Sequence, residues 1–600
     1  MKGIAIGLSN NSKEILKRLK KTEFVKDIYI AGSSKEDGKE NELIQVQKPR
    51  EILLKKWPEI DLIIFIGSIA ASIRIINSFL TSKDQDPGVI VIDNKCSKIV
   101  PLIGLHQSNT QNIACQIANL LGGEIIETNN SNDQSFLNLD AFGNQWGWKR
   151  SGNIKDWSKL VIKQAKNEEI FCKQLSGNSL WKTSESAEII NQINKKEIEK
   201  PDSTFHVSIF ENHETTWHPP VLWIGIGCER NTSKELIANS LNNFLESGNL
   251  SQQSIAGFAT IDIKKDEKGI LELSEEKNLP IKFFSKEDLS TIIVPNPSSV
   301  VEKEIGTPSV AEASCLLAAG EESKLLEEKR IFKNQSGAVT IAVAESKNQY
   351  NPTHGEIHII GSGPGDISFL TSNAKKALSR CTVWIGYKMY LDLIKSLKRS
   401  DQVLIESKLT EEKERCSKAI KLAEEGIKVA LISSGESGFY GMAGLLLELL
   451  QKIKKEYRPY FEVHPGISSV QLAAAISGAP LMNDFCSVSL SDKLTPWSLI
   501  EKRIEGALVG DFVIALFNPQ SIERNWQLKS VIDICLQSRH GDTPVLIARQ
   551  VGRENQTKKF FTLNTIPFKE IDMLSIIIIG NSQTTLVDEI FLTPRGYLQN

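Results

Sequence analysis

Three glycine-bearing loops carry the residues best suited to chemistry: GSGPGD at 361–366, SSGESGFYGM at 433–442 and HPGISS at 464–469. Glycine lets a backbone approach a bound ligand closely, and serine hydroxyls can bond the ligand's polar groups. A dinucleotide pyrophosphate is disfavoured, because its fingerprint G-x-G-x-x-G meets Asp366 at the last position, where like charges repel. No Lys-Ser or Lys-Thr follows at the spacing of a Walker loop. Asp366 reads instead as a cap for a helix beginning near Ser368. Two more loops, SLSDKLTPW at 489–497 and ALFNPQS at 515–521, complete the set. Lys388, Arg503, Arg524, Arg549 and Arg553 are cationic side chains in or near these loops. His464 reads as a structural histidine, with general acid as the alternative.

Such loops need strands and helices to hold them. Apolar runs alternate with helical patterns almost throughout: DLIIFIG before SIAASIRIINSFL, GVIVID before a loop and then NIACQIANLLGG, KVALISSG before GMAGLLLELLQKI. That alternation predicts a multidomain α/β chain with largely parallel sheets. Polar stretches at 129–156, 196–204 and 345–356 suggest joints. The expected organisation is domains at 1–130 and 216–345 with a middle or linker region at 131–215 between them. A linker at 346–355 then leads to two lobes, 356–475 and 476–597.

A net charge of −2 gives no general attraction to nucleic acid or an anionic membrane. The nine cysteines are scattered singly, so neither a zinc motif nor a disulfide framework is expected. His213 and His218 read as structural. Leu62–Phe79 contains Gly67, Ser68 and Arg74 and reads as strand, loop and helix rather than a span. The N-terminal apolar run is too short for a signal peptide, which points to the cytoplasm.

The ordered series of loops from about 355 to 595 resembles the tetrapyrrole methylase family, whose opening signature GxGPGDxxxLT is met by GSGPGDISFLT. WIGYKMYLDL at 384–393, with LSDKLTPW and LFNPQS, resembles the precorrin-3B C(17)-methyltransferase type. The resemblance implies a fold of two lobes with the active site between them. It also implies S-adenosylmethionine as cofactor and methylation of carbon 17 with ring contraction in cobalamin biosynthesis. It places the cofactor on Pro364, Ser434, Gly435, Glu436, Phe439, Ser468, Ser469, Phe517 and Asn518. The tetrapyrrole falls to Gly363, Asp366, Thr495, Arg524 and Arg549, with Tyr387 as the candidate catalytic residue or a packed aromatic. No metal is implied, and the family tends to homodimers.

Three segments of the first half, LWIGIGCERNTSKELI, GFATIDIKKDEKGILEL and IGTPSVAEASCLLAAG, resemble cobalt-precorrin-5A hydrolase. Where that family has SGHxGGAN, this chain keeps His106 but has Ser108, Asn109 and Gln111. The first half is therefore expected to be a degenerate or altered lactone hydrolase, or a docking scaffold that hands intermediates on. The alternatives are a corrinoid-binding protein without turnover and another methyltransferase of the same fold.

Overall fold

The computed structural model describes residues 2–32, 45–81, 86–104, 110–126, 136–194, 201–211, 215–335, 337–521 and 524–597. Two compact units divide the chain, 1–134 and 135–600. No helix among the described residues is long and apolar enough to cross a membrane.

The first unit is a seven-stranded sheet. Its central strands Gly3–Gly7, Leu62–Ile66 and Gly88–Ile92 are parallel and fully buried. Helices cover both faces, so both need apolar side chains and the strands read as continuous hydrophobic runs. One element departs from expectation. Within the loop expected after GVIVID, Lys98–Ile103 forms a further strand, antiparallel to Gly88–Ile92. Pro101 interrupts its apolar pattern, and the pairing shifts register opposite it, which hid the strand from a periodicity argument.

The second unit contains four sheets of note. Residues 137–218, where polar composition points to a joint, instead build a five-stranded sheet. Its interior is aromatic: Phe142 sits 5.1–5.8 Å from the rings of Trp148, Trp181, Phe205 and Trp217. The next sheet has Leu222–Cys228 at its centre, parallel to Ile255–Ile261 and antiparallel to Gly337–Glu345. His218 is buried in the aromatic sheet between Ser151 Oγ at 2.7 Å and the Ser208 carbonyl at 2.8 Å, a structural role. His106 and His213 lie outside the described residues.

The remaining two sheets form the lobes that carry the glycine loops. The first contains β1 (Glu356–Gly361), β2 (Val383–Tyr387), β3 (Val403–Ser407), β4 (Lys428–Ser433) and β5 (Tyr460–His464). They run parallel in the order β3-β2-β4-β1-β5. The second contains β6 (Phe485–Ser489), β7 (Val513–Phe517), β8 (Pro544–Arg549), β9 (Thr557–Thr562) and β10 (Ser575–Ile579). Its order is β6-β7-β10-β8-β9, parallel only between β6 and β7. Parallel strands place their carboxyl ends at one edge, and there β1, β4 and β5 present the glycine loops together.

The aromatic sheet and the first lobe are not separate bodies. One hydrophobic core runs from Trp146, Trp181 and Phe205 through Ile357, Val429 and Leu446. Polar contacts follow the same seam: Gln145 Nε2 donates to Asp401 at 2.8 Å, and Lys398 Nζ lies 3.1 Å from Glu185.

Candidate active site

The sequence places Gly361, Gly363, Gly435 and Gly466 in three loops, and the fold brings all four into contact. Gly363 and Gly435 exchange backbone hydrogen bonds of 3.1 and 2.8 Å, a two-residue bridge between the first and second loops. A Cβ on Gly466 would lie 2.0 Å from the Gly435 carbonyl oxygen and 2.6 Å from that of Gly361. Only a residue without a side chain lets these three backbones approach so closely.

Each loop is held by its own chemistry. Asp366 caps the short turn Ile367–Phe369, accepting from Ser368 N–H at 2.7 Å. Hydrogen bonds from the Ser368 side chain and amide hold the Asp366 carboxyl below its ordinary range. The Asp366 amide donates to the Gly552 carbonyl at 2.6 Å, so the opening loop touches the second lobe. Ser468 forms a capping box with Gln471 at the start of helix Ser469–Ser477. Glu436 accepts from Gly438 N–H at 2.7 Å, which closes the second loop on itself.

A wall of three aromatic rings flanks the glycines. Phe439 and Tyr440, from the second loop, and Phe517, at the end of β7, sit pairwise 5.2 Å apart, and Tyr440 Oη donates to the Ser487 carbonyl at 3.0 Å. The group thus joins the two lobes. Phe439 and Tyr440 remain 37% and 54% exposed. Asn518 is fixed by its Nδ2 on Ser489 Oγ at 3.0 Å. Buried hydroxyls of Ser362, in the opening loop, and Ser437, in the second, have no protein partner. Ser434 and Ser469 are half-buried at the ends of β4 and β5's loop.

The remaining candidates are dispersed. Tyr387 ends β2, edge-on to Tyr390 at 5.2 Å, and lines a groove of about 850 Å³ with Lys388, Met389 and Glu406. Lys388 is paired with Glu406 at 2.9 Å, and Arg503 is exposed on helix Trp497–Val509. Thr495 is half-buried beside Leu494, whose side chain is 98% exposed. Arg549 is engaged by Asp572, at 2.9 Å through Nε and 2.7 Å through a terminal nitrogen. Arg524 is buried, donating to the carbonyls of Leu490 and Asn518, both at 3.1 Å.

Arg524 therefore braces the loops that follow β6 and β7. We expect Arg524→Ala to lower stability by roughly 2–4 kcal/mol, since it leaves two carbonyls unpaired and removes a buried stem. Thermal denaturation reads this directly; a raised KM with unchanged stability would place the guanidinium on the substrate instead.

Arg553 stands where the loops meet. Its Nε lies 3.4 Å from the Pro364 carbonyl and its NH1 3.2 Å from Met389 Sδ, and it is only half-buried. These are weak partners for a guanidinium, in contrast to the carboxylate on Arg549. It connects the opening loop, the Tyr387–Tyr390 pair and the second lobe. Nothing in the sequence separated it from its cationic neighbours, because the distinction is which of them already has an anion.

Residues 356–567 match the model of the tetrapyrrole (corrin/porphyrin) methylases, while 51–132 and 222–344 match those of the cobalamin synthesis G N-terminal and C-terminal regions. The probable cobalt-factor III C(17)-methyltransferase of Salmonella typhimurium is 44% identical over 241 residues, 40% of this chain and 99% of that protein. The cobalt-factor III methyltransferase of Priestia megaterium is 44% identical over 245 residues; these are 40% of this chain but 45% of that protein, so the chain spans less than half of it. The solved methyltransferase CobJ is 32% identical, with a TM-score of 0.39, over 40% of this chain and 100% of its own. Through its second half, the chain belongs to the tetrapyrrole methylase family.

Proposed function

We propose that the two lobes transfer a methyl group from S-adenosylmethionine to carbon 17 of a precorrin-3B or cobalt-factor III class of macrocycle, with ring contraction, in cobalamin biosynthesis. One observation carries the reading: Gly361, Gly363, Gly435 and Gly466 meet beside an exposed aromatic wall at the junction of the lobes. The residues suit the cofactor. The glycine cradle admits a ligand to the backbone, the unpartnered Ser362 and Ser437 hydroxyls offer hydrogen bonds, and aromatic faces attract a cationic sulfonium.

Bound there, S-adenosylmethionine supplies a methyl group that is already activated. The chain then has to hold, orient and exclude water, and proximity of this kind is worth several kcal/mol or more. Phe439, Tyr440 and Phe517 shield the cradle, with Pro364, Ser434, Gly435, Glu436, Ser468, Ser469 and Asn518 around it. Arg553 receives a macrocycle carboxylate at the lobe junction, and Tyr387 orients the acceptor ring, with Gly363, Asp366 and Thr495 lining the approach. Arg549 can join only by sharing Asp572. The first half, as an altered lactone hydrolase, takes the next intermediate; the cytoplasm, a homodimer and handover to other pathway enzymes belong to the same proposal.

The test is mass spectrometry of precorrin-3B and cobalt-factor III after incubation with the protein and deuterated S-adenosylmethionine. A gain of one labelled methyl on either is the expected result. Arg553→Ala should raise KM about tenfold or more, the loss of one charge-assisted bond. Binding of the macrocycle without label transfer would identify a corrinoid carrier instead.

A further inference from the structure

The edge of the first lobe carries a cluster that the methyl transfer does not use. His358 in the middle of β1 and His464 at the end of β5 are 106 residues apart, yet His358 Nδ1 and His464 Nε2 lie 2.9 Å from one another. Both rings are almost wholly buried, at 1% and 6% exposure. The Glu462 carboxylate reaches the same point, 4.0 Å from His358 Nδ1 and 3.8 Å from His464 Nε2. Those distances are too long for hydrogen bonds. With the 2.9 Å between the two ring nitrogens, they bracket the edge of a tetrahedral zinc site, about 3.3 Å when each ligand atom is about 2.0–2.1 Å from the ion.

The surroundings prepare these atoms as ligands. Glu356 accepts from His358 Nε2 at 2.8 Å, which places the proton on Nε2 and leaves the Nδ1 lone pair facing His464. A carboxylate behind a ligating histidine orients the ring and raises its basicity. Tyr460 Oη donates to Glu462 at 3.3 Å and steers that carboxylate. Two cations stand nearby, Arg380 at 3.1 Å and Lys428 at 2.5 Å, but both are paired with Glu356. Glu462 has no such cation and is the free anion of the group among the described residues.

We propose that His358 Nδ1, His464 Nε2 and the Glu462 carboxylate form a three-ligand site for a divalent cation of the zinc class (Zn2+, Co2+ or Ni2+), with solvent as fourth ligand. Two imidazoles and one carboxylate favour these borderline ions over Mg2+ or Ca2+. The ion pins the edge strand β5 to β1 and sets the start of the loop that delivers Gly466 to the glycine cradle. No motif announces the site, because its ligands sit one strand apart in space and lie in apolar runs.

The experiment uses the full chain, stripped with EDTA and titrated with CoCl2, whose visible absorption reports tetrahedral nitrogen and oxygen ligation. One Co2+ per chain, displaced by ZnCl2, is expected. Glu462→Gln alters a half-exposed side chain, spares the fold and should weaken binding at least about tenfold, and Glu356→Gln about 10- to 100-fold. His464→Gln should abolish the absorption. Zn2+ should also raise the melting temperature of the wild type but not of Glu462→Gln. Absence of saturable Co2+ binding, or binding unchanged in both Glu462→Gln and His464→Gln, would leave an ordinary histidine–histidine hydrogen bond and overturn the proposal.

Discussion

Gly466→Ala is expected to weaken S-adenosylmethionine binding about a hundredfold, the top of the usual range for overpacking a tight contact. The added Cβ meets two backbone carbonyl oxygens at 2.0 and 2.6 Å, and neither can rotate aside as a side chain could. Relief requires the 464–469 loop to retreat from Gly361 and Gly435, which opens the cradle and moves Ser468 and Ser469 with it. Gly435→Ala is the control. Its φ of +65° imposes a left-handed strain of about 1–2 kcal/mol, but a Cβ there finds nothing closer than 3.7 Å. Its effect should therefore stay near tenfold. Isothermal titration with S-adenosylmethionine, with circular dichroism to verify the fold, separates the two. Equal losses in both variants, or wild-type affinity in Gly466→Ala, would remove the cradle from the cofactor site.

That cradle was legible in the sequence because glycine loops after apolar runs are local signals. The strands preceding the first two loops are buried on both faces and therefore apolar, whereas the edge strand β5 before the third is largely exposed, and each loop lies at its strand's carboxyl end. What the sequence withheld were pairings. Arg524, Arg549 and Arg553 look alike as letters, and only the fold shows that the first has two carbonyls at 3.1 Å and the second a carboxylate, while the third has one long bond to the Pro364 carbonyl and a thioether. Likewise 129–156 is rich in Asn, Gly, Ser and Asp, so composition spoke for a joint. The aromatic signal there was Trp146-Gly147-Trp148, followed by Trp157, Trp181 and Trp217, half of the chain's ten tryptophans. Large aromatics at that density require a core, and the structure supplies it jointly with the first lobe. Asp366 illustrates the reverse case: its capping role followed from its local position, although it caps the short turn Ile367–Phe369 rather than a helix at Ser368, and the helix begins at Ser372 under the Thr371 cap.

Gln349 concentrates the same lesson in one side chain. It lies in a polar stretch that reads as a linker, yet it is 2% exposed. Its Nε2 donates to the Trp146 carbonyl at 2.6 Å and the Glu425 carbonyl at 2.8 Å. Its Oε1 accepts from Trp148 Nε1 at 2.8 Å and from the Asn178 amide at 3.2 Å. One amide thus satisfies groups from the aromatic sheet and from the first lobe at the seam where their core is continuous. Gln349→Leu keeps the volume but strands two donors and two carbonyls in a dry interior, each worth about 1–3 kcal/mol when unmet. Because neighbouring losses do not add fully, the expected destabilisation is about 3–5 kcal/mol. Gln349→Glu should cost at least as much, since its second oxygen would face the Trp146 and Glu425 carbonyls as a buried carboxylate with no donor. Urea denaturation followed by tryptophan fluorescence, to which the aromatic sheet contributes five of the ten tryptophans, and by loss of S-adenosylmethionine binding, which reports the lobes, provides the measurement. In the wild type both signals should move in one transition, because neither half of the shared core can keep its apolar face buried once the other leaves. In Gln349→Leu the midpoints should fall together; a lowered aromatic transition beside an unshifted binding transition would show that the seam carries no coupling and that the two sheets fold as independent bodies.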